Sequence, residues 1–418
     1  MLTNRHVLVA GGGGSSKTGV ANGFEIFEIS HDGDRFIAEE VIRHETGPSV
    51  VMNCATFSDS KHSYLVAGQE NHCQLYNVQT LVVTDTTEDE KNDKHEKSDN
   101  QTVRQRRNSH KQQKTDDNKN SKRLKFVIKP SDSVQTDFGG DEPVQRVVRI
   151  NPSGKLMATG GTDGVVRLWN FPSFKPKHVL KAHSKEIDDM DFSPCEHWLV
   201  TIAKDGLAIL WDNNSGKELK RLTWNTGDGQ RYLYKRCRFG KIENEKKSAL
   251  FALANPLTRG SKQKGYLQQW SPGEACLNKS VAIEESLSAL AVRDDGRFVA
   301  VGTMYSGSVS IYIAFSLQRI LHVPGAHSMF VTGLEFLPVV DNQTVSSVTE
   351  AAVLSISVDN RVCIHSLSHR VAIPAWLAVM IIIVTLFFTF LLCSYLGKHC
   401  ITNKIKWQSC NTDKRFGW

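Results

Sequence analysis

A strand–turn–strand unit that closes on an aromatic side chain recurs along this chain, and the recurrence restricts the fold more than any other feature. Residues 156–169 read Leu-Met-Ala-Thr-Gly-Gly-Thr-Asp-Gly-Val-Val-Arg-Leu-Trp. Residues 199–212 read Leu-Val-Thr-Ile-Ala-Lys-Asp-Gly-Leu-Ala-Ile-Leu-Trp-Asp, so Trp211 follows Trp169 by 42 positions. A third copy ends at Tyr312, and weaker ones end at Phe27, Tyr76, Trp270 and His365. Asp163-Gly164 and Asp205-Gly206 are hairpin-turn signals between alternating apolar runs. A further strand precedes each unit, as in Ile187-Asp-Asp-Met-Asp-Phe192. A period near 42 residues with several strands per unit predicts an all-β propeller, and seven units fit between Met1 and Leu367. The interval from Trp211 to Trp270 is stretched to 59 residues, and that from Tyr76 to Trp169 to 93. An insertion over residues 84–141 accounts for the longer one. It is rich in Lys, Asp, Asn, Gln and Ser and poor in apolar residues until Leu124, which predicts a disordered loop. A complete first blade needs an innermost strand before His6, yet five residues precede it, so either the N-terminus is abbreviated in this sequence or blade one is built incompletely.

The period and the Trp-Asp ending resemble the WD-repeat family. His183, Thr201, Asp205 and Trp211 have the residue types of a catalytic set. In WD repeats, however, these positions form a buried hydrogen-bond ladder that satisfies polar groups inside a blade. His327 and Asp359 repeat the pattern. Catalytic groups need not recur with the period of the fold, so the structural role is expected here.

The formal charge of +7 invites a nucleic-acid or anionic-surface function, so its location matters. Residues 84–130 hold 13 basic and 9 acidic side chains, and residues 398–418 carry a further net +4. Removing both segments leaves about −1 for the rest of the chain. Residues 371–397 contain no charge, and the 22 residues from Ala375 to Leu396 would span about 30 Å as a helix, one hydrocarbon core. Trp376 and Tyr395 sit near its ends, where amphipathic rings favour the interface. The first residues lack an apolar run long enough for a signal peptide. The expected arrangement is therefore a cytosolic propeller over residues 1–370, a transmembrane helix over 371–397 and a short lumenal tail over 398–418. The nine Cys show no metal-ligand spacing. The first six are expected as reduced thiols, and Cys400 and Cys410 are able to pair if the tail is lumenal.

One motif does not repeat. Residues 11–23 read Gly-Gly-Gly-Gly-Ser-Ser-Lys-Thr-Gly-Val-Ala-Asn-Gly, between the strand His6-Val-Leu-Val-Ala10 and the alternating Phe24-Glu-Ile-Phe-Glu-Ile29. Lys17-Thr18 imitates the end of a phosphate-binding loop. That motif needs Gly before the Lys, where this chain has Ser16, and a helix after it, where this chain has a strand. ATP or GTP hydrolysis is excluded on those grounds. Four adjacent glycines cost of order 1 kcal/mol each against Ala in regular structure, so such a loop is expected to serve a function.

With Lys17-Thr18-Gly19 and Asn22-Gly23 closing the loop, and Ala67-Gly-Gln-Glu-Asn-His-Cys-Gln-Leu-Tyr76 in the second blade, the chain resembles the prolactin regulatory element-binding protein family. These are animal counterparts of the fungal Sec-type exchange factor of the endoplasmic reticulum. The resemblance implies a guanine-nucleotide exchange factor that releases GDP from a Sar-type small GTPase at the endoplasmic reticulum membrane and so initiates COPII coat assembly. It further implies a loop organised around a potassium ion and facing the GTPase, formed by Gly11, Gly12, Gly13, Gly14, Ser15, Ser16, Lys17, Thr18 and Gly19. Asn22 is the residue expected to be directly functional. Exchange by differential affinity needs no nucleophile and no proton transfer, in keeping with the lack of a catalytic constellation. Two other functions compete: a membrane-anchored scaffold propeller without exchange activity, and a nucleic-acid-binding regulator using residues 104–129. There 10 basic residues face 2 acidic ones, but Phe126 is the only aromatic available for stacking.

Overall fold

In a computed structural model, the described residues are 2–13, 21–59, 61–84, 122–140, 142–224, 229–242, 248–257, 264–339, 349–369 and 375–412. They form two compact units, Met1–Leu367 and Ser368–Trp418.

The first unit is a propeller of seven sheets. Sheet one holds β1 (His6–Gly11), β2 (Gly23–His31) and β3 (Phe36–Glu45), and sheet two holds β4 (Val51–Ser58), β5 (Ser63–Gln69), β6 (His72–Thr84) and β7 (Lys122–Gln135). Sheet three comprises β8 (Gln145–Ile150), β9 (Leu156–Gly161), β10 (Val166–Asn170) and β11 (Lys175–Leu180). Sheet four comprises β12 (Ile187–Phe192), β13 (Trp198–Ala203), β14 (Ala208–Asp212) and β15 (Glu218–Arg221). Sheet five comprises β16 (Tyr232–Lys241), β17 (Ser248–Pro256), β18 (Gly265–Ser271) and β19 (Cys276–Ile283). Sheet six comprises β20 (Leu287–Val292), β21 (Phe298–Thr303), β22 (Val309–Ile313) and β23 (Arg319–Val323). Sheet seven comprises β24 (Val331–Phe336), β25 (Thr349–Ser357) and β26 (Val362–Ser368).

Phe27, Tyr76, Trp169, Trp211, Trp270, Tyr312 and His365, the seven repeat marks, fall one per sheet. Both faces of each sheet are covered by neighbours, so the second strands lose the usual alternation. β13 and β21 are apolar and buried along almost their whole length, whereas the outermost β15 is exposed throughout. Apolar clusters fill the clefts between blades, as where Val166 and Leu168 meet Ile187, Met190 and Leu199. The ring closes in the same way. Val7 and Ile29 of sheet one share a core with Leu337, Ala352 and Leu354 of sheet seven. Sheet one has three strands, as does sheet seven.

Charge also ties the inner strands together. Asp189 on β12 is buried and receives Arg149 Nη2 of β8 at 3.2 Å and Arg238 Nη1 of β16 at 2.6 Å. Burial alone would push its carboxyl up, but Arg238 and Arg149 outweigh that and hold it below the usual range. Lys235 Nζ on β16 meets Asp188 at 3.1 Å.

The predicted ladder is present. Trp211 Nε1 donates to Thr201 Oγ1 at 2.9 Å, Thr201 Oγ1 lies 2.9 Å from His183 Nε2, and His183 Nδ1 lies 3.1 Å from Asp205. An ionised Asp205 only accepts, so Nδ1 carries the ring proton and the Thr201 hydroxyl donates to Nε2. Sheet seven repeats the chain with a substitution at its outer end. Asp359, His327 and Ser355 are followed by His365, whose Nε2 lies 2.8 Å from Ser355 Oγ, in the place of a tryptophan.

The boundaries of the insertion need correction. Residues 122–135 form β7, paired with β6 from His72↔Gln135 to Thr84↔Lys122, because Phe126 and Ile128 alternate into the core beside Tyr76 and Val78. The remainder of the expected disordered loop, residues 85–121, lies outside the described residues.

Consecutive strands run antiparallel, so their connections alternate between two ends of the unit. The β1–β2, β5–β6, β9–β10 and β21–β22 connections share an upper face with the links between sheets. Hydrogen bonds join them, as from Thr136 N to the Asn71 carbonyl at 2.9 Å and from His183 N to the Gly164 carbonyl at 3.1 Å. The β6–β7 and β22–β23 connections and the end of β26 lie at the lower face.

The second unit is one helix, α1 (Ala375–Thr412). Its segment Trp376–Leu396 has mean hydropathy 2.8, long and apolar enough to cross a membrane. The helix continues well past the end of the expected span at residue 397, since no proline interrupts residues 375–412.

Two outcomes follow. Asp189→Ala leaves two partly buried guanidiniums without their buried carboxylate and should lower unfolding free energy by about 1.5–3 kcal/mol in denaturant titration. His365 is held down to about 4 by burial and by His327, against an ordinary value of 6.5. The unfolded chain therefore takes up this proton first, so stability is complete above pH 6.5 and declines as pH falls toward about 4. Melting temperatures across that window should fall less steeply in His365→Gln.

Candidate functional site

β1 and β2 are in register up to Gly11↔Gly23, so residues 12–22 form the upper-face connection of blade one. Its base is built from close approaches that side chains would block. A Cβ on Gly12 (φ +156°) would meet Asn22 Oδ1 at 2.1 Å, and one on Gly23 would meet the His44 carbonyl at 2.2 Å. Gly11 has open space, with nothing within 4 Å of a Cβ.

Asn22 is 7 % exposed. Its side-chain amide donates to the Gly47 carbonyl at 3.0 Å and to the Pro48 carbonyl at 3.1 Å, and its backbone carbonyl accepts Thr46 N at 2.9 Å. One side chain thus fastens the glycine loop to the link that enters sheet two. The structure brings Gly12 against Asn22, with Gly11 paired to Gly23 beside them. Gly14, Ser15, Ser16, Lys17, Thr18 and Gly19 lie outside the described residues. Sequence reasoning singled out Asn22 but not its partners. The turn residues Thr46-Gly47-Pro48-Ser49 were the available signal.

The same face exposes large apolar side chains at its loops, including Phe138, Leu257, Tyr305, Met329, Phe330 and Val358. Sequence alternation could not reveal these, because they stand in connections rather than strands. Exposed apolar side chains gathered on one face are a common property of protein-docking surfaces.

No chemistry of bond cleavage is assembled at the ladder. The His183 side chain is fully buried, and burial pushes its imidazole down although Asp205 opposes the shift. Among the described residues, no group of three or more His, Cys, Asp and Glu is placed to hold a metal ion. The loop base instead is lined by neutral groups, the Asn22 side-chain amide and the backbone of Gly12. Phe126, the aromatic on which a base would stack, is 1 % exposed in the blade core, which weighs against the nucleic-acid function.

A family model described as "WD domain, G-beta repeat" matches residues 132–170 and 174–212, the two units ending at Trp169 and near Trp211. Over 397 residues the chain is 34 % identical to the mouse protein named guanine nucleotide-exchange factor SEC12, covering 92 % of this chain and 91 % of that protein. The rat protein of the same name is 33 % identical over the same length. SEC12-like protein 2 of Arabidopsis thaliana is 28 % identical over 199 residues, 46 % of this chain. With identity above 30 % sustained along nine-tenths of both chains, this chain belongs to the SEC12 guanine nucleotide-exchange factor family.

Proposed function

We propose that the chain is a guanine-nucleotide exchange factor for a Sar-type small GTPase, acting at the endoplasmic reticulum membrane and thereby initiating COPII coat assembly. In this reading the propeller is cytosolic, α1 is a single-pass anchor and the tail is lumenal. The observation that carries it is the Asn22-anchored glycine loop, which opens onto a face with exposed apolar side chains in a chain of the SEC12 family.

The mechanism is a population shift. A GTPase alternates between GDP-bound and empty forms, and a partner favours the empty one only by binding it more tightly. A 1,000-fold preference corresponds to about 4 kcal/mol of differential contact. A loop that moved freely would spend that energy on its own ordering. Asn22 acts here as a positioning residue. Its two amide bonds and the close Gly12 approach hold the loop base in one conformation, so binding energy goes into the partner instead.

A potassium ion fits the donor chemistry of the base. Backbone carbonyls of the glycine run would hold it, and no Cβ at Gly12 stands in the way. Such oxygen donors suit a large, weakly hydrated cation, which when bound would stiffen the loop.

Release of a fluorescent GDP analogue from a Sar-type GTPase tests the proposal. The full chain in lipid nanodiscs should accelerate release, while Asn22→Ala and Gly12→Ala should each slow the catalysed rate by about 10-fold or more, equivalent to about 1.4 kcal/mol. No acceleration by the folded chain would refute it and leave the scaffold function. Exchanging potassium for sodium in the buffer should slow the catalysed rate and leave spontaneous release unchanged.

A further inference from the structure

The β6–β7 hairpin extends beyond what blade two needs. Its strands have 13 and 14 residues, while the corresponding β14 and β15 of blade four have 5 and 4. As far as the Thr80↔Phe126 pair the hairpin is part of the core, since Phe126 packs with Tyr76, Val78 and Ile128. The next pairs are uncovered. Leu81 is 49 % exposed, Val82 62 % and Leu124 37 %. Val82 stands opposite Leu124 and Leu81 opposite Lys125, so both faces of the end carry apolar surface, and Lys125 and Lys129 are exposed along the outer strand.

The hairpin projects from the lower face. There the β22–β23 connection presents Phe315, 77 % exposed, with Lys279 Nζ 4.1 Å from its ring centroid. β26 also ends at the lower face, at Ser368, and the apolar segment Trp376–Leu396 begins eight residues later in sequence.

We propose that the end of the β6–β7 hairpin, with Phe315 as a second point, is a contact surface for the anionic leaflet of the bilayer in which the chain is anchored. Apolar side chains flanked by lysine are what an anionic interface accepts. The aliphatic groups enter the headgroup boundary, and each cation near the surface contributes about 1 kcal/mol. Among the described residues, the exposed apolar side chains of the hairpin end are aliphatic and Phe126 is buried, so they offer no stacking surface for a nucleic acid. Pairing of β7 with a second copy is opposed by Lys125, Lys129 and Pro130 on that edge strand. The proposal rests on residues 376–396 spanning a membrane and not on exchange activity, so the two fail separately.

Hydrogen exchange of the full chain in nanodiscs tests it directly. Peptides covering residues 78–84 and 122–127 should exchange at least about 5-fold more slowly in discs with about 30 % phosphatidylserine than in pure phosphatidylcholine. Salt of about 1 M, where the Debye length is about 3 Å, should reduce the difference. Leu81→Ser with Val82→Ser should abolish it while peptides from β13 are unaffected. Equal exchange in both lipids would overturn the proposal. So would protection conferred by an oligonucleotide in pure phosphatidylcholine, or protection that depends on protein concentration in detergent.

Discussion

Everything in the first unit depends on a sheet having a neighbour on each face. A single four-stranded blade cannot bury both of its apolar surfaces, and only a closed ring gives each one two partners. Closure here is by side-chain packing, with Val7 and Ile29 against Leu337, Ala352 and Leu354. The three-stranded first sheet therefore also completes the ring. The glycine loop springs from it, so the stiffness of the loop base and the integrity of closure rest on the same two strands.

Polar groups inside such an array have to be satisfied in place. The Trp–Thr–His–Asp ladder does this in blade four, and the Arg149–Asp189–Arg238 group does it across three inner strands. Both consist of residue types found at active sites, yet each is saturated by its own partners. The upper face works differently. It carries a loop, a fastened base and exposed apolar side chains, features common to surfaces that dock another protein.

Much of this was legible in the chain itself. The repeat marks at Trp169 and Trp211 and the ladder residues reveal themselves because they recur with the fold. The span is evident from uninterrupted hydrophobicity. Features that depend on a single three-dimensional encounter were hidden. Nothing local indicates that the Asn22 amide reaches Gly47 and Pro48, or that Asp189 lies between arginines 40 and 49 positions away. Strand β7 was obscured for another reason. Its lysines match the composition of the preceding charged stretch, and only the spacing of Leu124, Phe126 and Ile128 marks it as a strand.

The central claim is that the anchored loop discriminates between two states of a GTPase. Equilibrium binding of the chain to a Sar-type GTPase, measured once with the nucleotide stripped and once with GDP saturating, tests this most directly. The account predicts an affinity for the empty form higher by about 1,000-fold, a gap of about 4 kcal/mol that Asn22→Ala narrows. Equal affinities for the two forms would contradict it.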